Sequence, residues 1–492
     1  MQFCFGLVRS ICIVATMLSA MSSINAARAQ TDWTTAGFDQ QRTGYNPAET
    51  KLSQANAGLL ALKWSTDIWG TGLTQPTLAN NVSTAQGVKN LVFVATLYGD
   101  VFGLDAANGN HIWQTTVPQI QTNCGDFSAT GGFTAVIGTP TLDRAHSQMF
   151  LVAGDGRLHA LSLSNGQEMA GFPVQVLTGA DLPPHSLVYG SPTFDAKNGL
   201  LYIATAGACD VPPYYGQIIQ VNLGTRSVAH RWYTMRKNGT TTPSGGGIWG
   251  PGGVSLSTDT TAIFALTGNA LTNPQNYPYA ESVLRLSRTL ALVAANAPSF
   301  TNGTDQDFGA TPMLYAPSGC PAELVGMNKS GALLTYDQGG IANGPRQRIQ
   351  ITGTNLADYG NFIGSPAYDP TRRRMFFGNP SDSASVYRHG LIAMNVRTDC
   401  SLALAWQSPV GLNGPNFNNP MIPPTVANGV VYYADGDASQ LFAYNADTGQ
   451  QLWNSGSMLT GGIFTSPTVA NGQLYSVSYG GHTVYAFSPG GK

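Results

Sequence analysis

The sequence predicts an all-β fold: an eight-bladed β-propeller of four-stranded antiparallel blades, with an N-terminal strand closing the last blade. Three observations predict it. The first is a repeated unit whose cleanest copy runs from Ile422 to Trp453. Runs rich in Val, Tyr, Phe and Leu (Val430 to Ala434, Leu441 to Asn445, and one beginning at Gln451) alternate there with turns such as Ala427-Asn428-Gly429 and Asp447-Thr448-Gly449. Short β-rich runs joined by Asn-Gly or Thr-Gly turns read as an antiparallel meander. The second is that two independent marks recur eight times. A proline step opens each copy, at Pro76, Pro140, Pro192, Pro251, Pro312, Pro366, Pro424 and Pro467. A run resembling LFAYNADTG (441–449) follows each opening, from VFGLDAANG (101–109) to TVYAFSPGG (483–491). A small sheet cannot bury both faces alone, so radial stacking of copies is the expected solution. The third is that the eighth copy ends at Lys492 after three strands, while Leu62-Lys63-Trp64-Ser65 reads as an outer strand with no inner strands before it. Pairing the two closes the ring and removes an exposed edge.

In chain order, residues 1–29 read as a secretory signal. Arg9 precedes an apolar run from Ile11 to Ala20, and Ala27-Arg28-Ala29 fits a small-x-small cleavage site. The apolar run is too short to span a bilayer. Residues 30–492 then form one domain, because the repeat uses all of them. Charged residues are 10%, the net charge is −2 and glycines number 58. That composition suits a turn-rich exported β protein and excludes a basic nucleic-acid binder. Arg372-Arg373-Arg374 reads as a solvated hairpin tip.

Four cysteines follow the leader: Cys124, Cys209, Cys320 and Cys400. Blade topology pairs them. Cys124 lies in the loop between blades one and two, and Cys209 follows the second strand of blade three, so both belong to one face, here called upper. Cys320 and Cys400 belong to the lower face of neighbouring blades. The expected disulfides are therefore Cys124–Cys209 and Cys320–Cys400. No Cys-x-x-Cys-His or zinc spacing occurs.

Ligands of propellers bind in the channel and among the upper loops. Those loops hold most of the unusual residues. Trp249 stands amid glycines in Gly245-Gly246-Gly247-Ile248-Trp249-Gly250, where a planar ligand can reach a flat face. A packing tryptophan capping the channel is the plainer role. Asn269 and Asp210 place an amide oxygen and a carboxylate at strand ends, which are hard ligands suited to calcium. Turn residues bonding their own backbone are the commoner case. Lys329, in Asn328-Lys329-Ser330-Gly331, reads equally as a turn lysine.

The mature opening, Asp32-Trp33 … Arg42-Thr43-Gly44-Tyr45-Asn46 … Leu62-Lys63-Trp64, resembles the start of the quinoprotein (PQQ-dependent) alcohol dehydrogenases, eight-bladed propellers holding pyrroloquinoline quinone and calcium. The resemblance covers the mature chain and is closest to the polyvinyl alcohol dehydrogenase branch without its haem domain. It implies that Trp249 is the floor on which the quinone stacks, with Gly246 and Gly247 beside it. Asn269 and Asp210 become metal ligands, although the family's residue at the latter position is Glu. Lys329 becomes the donor to a quinone oxygen, and Asp307-Phe308-Gly309-Ala310 resembles a stretch rimming the pocket. Two departures stand out. The family's adjacent cysteine pair is reduced to Cys124. The family's catalytic Asp is expected in the loop after Asn269, which holds no acid until Glu281; the candidate bases are Glu281, otherwise a solvent-facing strand residue, and Asp307.

Two functions follow. One is an exported dehydrogenase that oxidises a small or polymeric alcohol with PQQ and calcium and passes electrons to a separate periplasmic acceptor such as a cytochrome c. The other is a non-catalytic propeller acting as a binding or outer-membrane assembly scaffold, since repeats specify fold more strongly than activity.

Overall fold

The structure, a computed structural model, describes residues 30–235, 244–271, 279–298, 305–351, 364–379, 387–408, 422–436 and 438–492. The leader read over residues 1–29 lies outside the described residues, as do parts of the upper loops, among them 236–243, 272–278 and 352–363. Eight blades of the predicted four-stranded antiparallel type are present among the described residues, two of them with a fifth short strand (Tyr45–Asn46, parallel to Thr425–Ala427, and Ser186–Leu187), together with a separate two-stranded hairpin between blades one and two. Their first strands are Thr77–Thr84, Thr141–Asp143, Thr193–Asp195, Ser255–Leu256, Met313–Tyr315, Ala367–Asp369, Thr425–Ala427 and Thr468–Ala470. All but Ser255–Leu256 start directly after an opening proline. Proline lacks the N–H that a ladder needs, so the start of a strand is where it fits.

The ring closes as expected. Leu60–Asp67 is the outer strand of blade eight and pairs antiparallel with Thr483–Pro489, with Trp64 opposite Ala486. Middle strands are sandwiched between neighbouring blades, so all six residues of Val430–Asp435 are buried. Outer strands keep one face in water, as the mixed burial of Ser227–Tyr233 shows.

The tryptophan and the glycine turn of the repeat are one device. The indole of Trp113, on the outer strand of blade one, donates to the carbonyl of Leu163 in blade two at 2.8 Å. Trp64 does the same to Ala106 and Trp406 to Ala446, each at 3.1 Å. Under each indole lies a turn glycine with positive φ: Gly166 at +71°, Gly109 at +77° and Gly449 at +75°. A Cβ at Gly166 or Gly449 would come within 2.5 Å of the ring. The glycine therefore serves both the left-handed turn and the docking of the neighbouring blade.

A second device is absent from the repeat. Residues 33–46 run around the floor of the channel and bond the first strand of every blade. Trp33 exchanges two backbone bonds with Leu78 in blade one. The amides of Leu142, Leu256 and Leu314 donate to Thr34, Gln40 and Gln41, and the Gln40 side chain accepts from Phe194. Tyr368 and Val426 donate to Thr43 and Gly44, and Asn46 reaches Val469 in blade eight. The Arg42 side chain, 3% exposed, ties the hydroxyls of Thr35 and Thr193 at 2.7 Å each.

Blade two carries a charged cluster with a measurable consequence. His159 is 4% exposed. Burial works against its charge, but contacts to Asp155 (3.5 Å) and Glu168 (2.6 Å) outweigh burial and lift the imidazole from 6.5 to about 9. The raised group stabilises the fold fully below pH 6.5, and that stabilisation is lost as the pH rises through about 9. Chemical denaturation from pH 6 to 10 is expected to show a loss of about 3 kcal/mol, absent in His159→Gln. The same slope in both proteins would disprove the assignment.

Candidate active site

The upper loops of blades three, four and five converge on one side of the channel mouth. Each brings its residue there for a local reason. After the strand Leu200–Gly207 of blade three the chain turns through two consecutive left-handed residues, Cys209 (φ +51°) and Asp210 (φ +53°). Cys209 is disulfide-bonded to Cys124 with the Cα atoms 5.3 Å apart, and the Tyr214 hydroxyl donates to the Asp210 carboxylate. The second disulfide, Cys320–Cys400, lies at the opposite face.

Trp249 is half-buried and follows three buried glycines. Gly245 and Gly246 have φ of +128° and +66°, which other residues resist. Their backbones lace blade three to blade four: the Gly246 amide donates to Asn269 at 2.6 Å, and Gly247 accepts from Gly268 at 2.7 Å. Gly246 and Gly247 thus hold Trp249 and Asn269 in register. Gly268 is required by space, because a Cβ there would overlap Asp307 Oδ1 and lie 2.6 Å from the Trp249 indole nitrogen. The Tyr189 and Tyr214 rings meet Trp249 edge-on at 5.1 and 6.1 Å.

The loop between blades four and five supplies acid. Asp307, 2% exposed, accepts from the Asn269 amide at 2.5 Å through Oδ1 and from Lys329 Nζ at 2.8 Å through Oδ2. Asp305 receives the same ammonium at 2.8 and 2.9 Å. One oxygen each of Asp210, Asp305 and Asp307 lie within 4.8 Å of one another. Burial, then the Asp307 charge, push Asp305 up to about 6. Burial also raises Asp210 and Asp126. For Lys329 burial opposes the charge, but Asp307 and Asp305 outweigh it and raise its pKa. Three carboxylates thus face one ammonium. Beside them the Asn269 side-chain oxygen is buried with no hydrogen-bond partner. A buried unpaired acceptor next to surplus carboxylate is chemistry that a hard cation completes.

Glu281 does not face solvent. It is half-buried, and its carboxylate accepts from the Gln306 backbone amide at 3.2 Å, between the two aspartates. Glu281 thus braces the segment that carries Asp305 and Asp307. Asp305, Tyr189 and Tyr214 escaped the sequence reading. A signal for Asp305 existed: Asp305-Gln306-Asp307 alternates with period two, which on extended chain puts both acids on one side. Nothing local marked the two tyrosines.

An eight-bladed propeller with a half-buried acid–lysine cluster beside a glycine-cradled tryptophan resembles the quinoprotein alcohol dehydrogenase propellers. The comparisons agree. A family model described as the β-propeller domain of glucose, ethanol and alcohol dehydrogenases matches residues 33–180, and one described as outer membrane protein assembly factor BamB matches 401–490. Among individual proteins, polyvinylalcohol dehydrogenase of a Pseudomonas species is 21% identical over 506 residues, covering 89% of this chain and 71% of that protein. The quinohemoprotein alcohol dehydrogenase of Comamonas testosteroni superposes with a TM-score of 0.67 at 17% identity, over 95% of this chain and 82% of that one. A europium-containing methanol dehydrogenase superposes with a TM-score of 0.68 at 14% identity, over 93% and 98%. At these identities the structural likenesses establish the fold. No helix among the described residues is long and apolar enough to cross a membrane.

Proposed function

We propose that this chain is an exported quinoprotein-like dehydrogenase that oxidises an alcohol with PQQ and calcium at the mouth of the propeller channel. The observation that carries the reading is the largely water-excluded cluster of Asp210, Asp305 and Asp307, in which Asp307 accepts from the amide of Asn269, whose side-chain oxygen has no partner, and from Lys329. A scaffold has no need of surplus buried carboxylate, which costs stability unless compensated. When bound, PQQ supplies the acceptor for the carbinol hydride, and calcium polarises its carbonyl.

The chain's own residues divide the remaining work. Asn269 and Asp210 hold the cation with carboxylate help from the neighbouring loop. Trp249 offers its ring face to the planar cofactor, and Lys329 offers its ammonium to a quinone oxygen. Asp307 accepts from the Asn269 amide and from Lys329 with its side chain closed off from water, so it orients those two groups. Asp305 is the more exposed acid, with 20% of its side chain accessible against 3%, and its raised pKa leaves it ionised yet basic at neutral pH. It takes the hydroxyl proton of the substrate. Glu281 fixes the backbone between them. Export to an oxidising compartment fits the two disulfides, and a cytochrome c is a suitable electron acceptor.

The test is titration of the mature protein with PQQ, with and without calcium, following tryptophan fluorescence and quinone absorption. Calcium-dependent binding is expected, lost in Trp249→Ala and weakened at least tenfold in Asn269→Ala. No binding at high micromolar PQQ would sink the proposal. It would favour the scaffold reading, for which the assembly-factor match at residues 401–490 is the supporting observation.

A further inference from the structure

We propose that the Cys124–Cys209 disulfide is the positioning clamp of the cation site, so that reducing it releases Asp210 and lowers cation affinity. The inference rests on the cation reading above. Cys209 and Asp210 are the only neighbouring non-glycine residues among the described ones that are both left-handed, at φ +51° and +53°. Each pays a steric cost in that region, and such pairs persist only where the surroundings impose them.

The surroundings here are lopsided. Beyond Asp210 the loop is exposed, with Val211 55% accessible and a single turn bond from its amide to Ala208. Before it, Cys209 is tied to Cys124, which is 4% exposed and packed with Phe127, Leu97 and Leu187. The loop is therefore anchored through sulfur to Cys124, in a buried cluster that packs Leu97, Phe127 and Ile137 against Leu187 and Ala208 of its own blade. The Tyr214 hydroxyl is the only other hydrogen-bond restraint on the Asp210 carboxylate among the described residues. That carboxylate supplies one of the three grouped oxygens.

The chemistry is thiol–disulfide exchange. A dithiol gives two electrons and two protons, the Cys124–Cys209 bond breaks, two thiols form and the dithiol leaves as its own disulfide. Freed from sulfur, Cys209 and Asp210 relax to negative φ, and the Asp210 carboxylate leaves the cluster.

Calorimetric titration with calcium on purified protein tests the clamp without any turnover. The double variant Cys124→Ser/Cys209→Ala is expected to bind calcium at least tenfold more weakly than the oxidised wild type. Cys124→Ser/Cys209→Gly is expected to recover part of that loss, because glycine adopts positive φ freely. Cys320→Ser/Cys400→Ser, lacking the lower-face disulfide, is expected to keep wild-type affinity whatever it loses in stability. Equal affinity in the alanine double variant and the wild type would overturn the clamp. A glycine variant no better than the alanine one would overturn the backbone mechanism. If the alanine variant fails to fold, titrating folded wild type before and after dithiothreitol, with thiols counted, decides the question by the same criterion. Oxidised wild type that binds no calcium overturns the cation site itself, and the clamp with it.

Discussion

Lys329→Met is expected to destabilise the cation-free protein by about 3–5 kcal/mol, the usual cost of removing one partner from a buried ion pair. Lys329 Nζ touches both Asp305 and Asp307 within 2.9 Å, and only 17% of the side chain is accessible, so water replaces little of the lost charge. Partial protonation of Asp305, already raised to about 6, will soften the loss at acid pH. The distinguishing feature is the response to calcium. A cation among the three carboxylates restores the missing positive charge, so calcium is expected to raise the denaturation midpoint of Lys329→Met more than that of wild type. PQQ affinity is expected to fall at least tenfold even with calcium saturating, because the cation does not replace the ammonium as a hydrogen-bond donor. A variant with an unchanged midpoint without calcium would show that the carboxylates are not held together by Lys329.

Deleting residues 30–46 is expected to abolish the folded ring, although the closing strand Leu60–Asp67 is retained. That segment accepts backbone bonds from the first strands of blades one, two, four, five, six and seven. Each buried amide left unpaired costs about 1–3 kcal/mol. Together these amount to about 6–18 kcal/mol, as large as the 5–15 kcal/mol that typically separates folded from unfolded domains. A milder probe is Gly44→Val. Gly44 has φ +62°, and a Cβ there would lie 2.9 Å from that of Ala367 and 3.0 Å from the Pro424 carbonyl oxygen. A loss of about 2–4 kcal/mol is expected from backbone strain and overpacking together. Circular dichroism and chemical denaturation of both proteins check this. A deletion protein that melts like wild type would show that the blades close without their lacing.

Much of this architecture was legible because it is repeated. Proline steps, Asn-Gly and Thr-Gly turns and outer-strand tryptophans recur at blade spacing, and each recurrence corroborates the others. Ring closure by Leu62 to Ser65 was legible because an unpaired outer strand at one end matched a missing one at the other. The disulfide pairs were legible because propeller topology alternates faces strictly from loop to loop. The lacing of residues 33–46 was not. It works mainly through backbone carbonyls, which every residue carries, and the side chains that help, Gln40, Arg42 and Asn46, belong to no repeated pattern.

For the site the division is sharper. By itself the sequence determined the propeller, the face that carries its unusual loop residues, and Trp249, Asn269, Asp210 and Lys329 as the ones to examine. Local chemistry and a loop's place between strands are enough for that. Only the tertiary structure decided that Asp305 and Asp307 share Lys329, that the Asn269 oxygen is left unpartnered, and that Glu281 braces the loop between the two acids. Those relations join blade four, blade five and the segment between them. Whether two charges lie a few ångströms apart, and how far water is excluded from them, is set by how whole blades pack, which no single segment encodes.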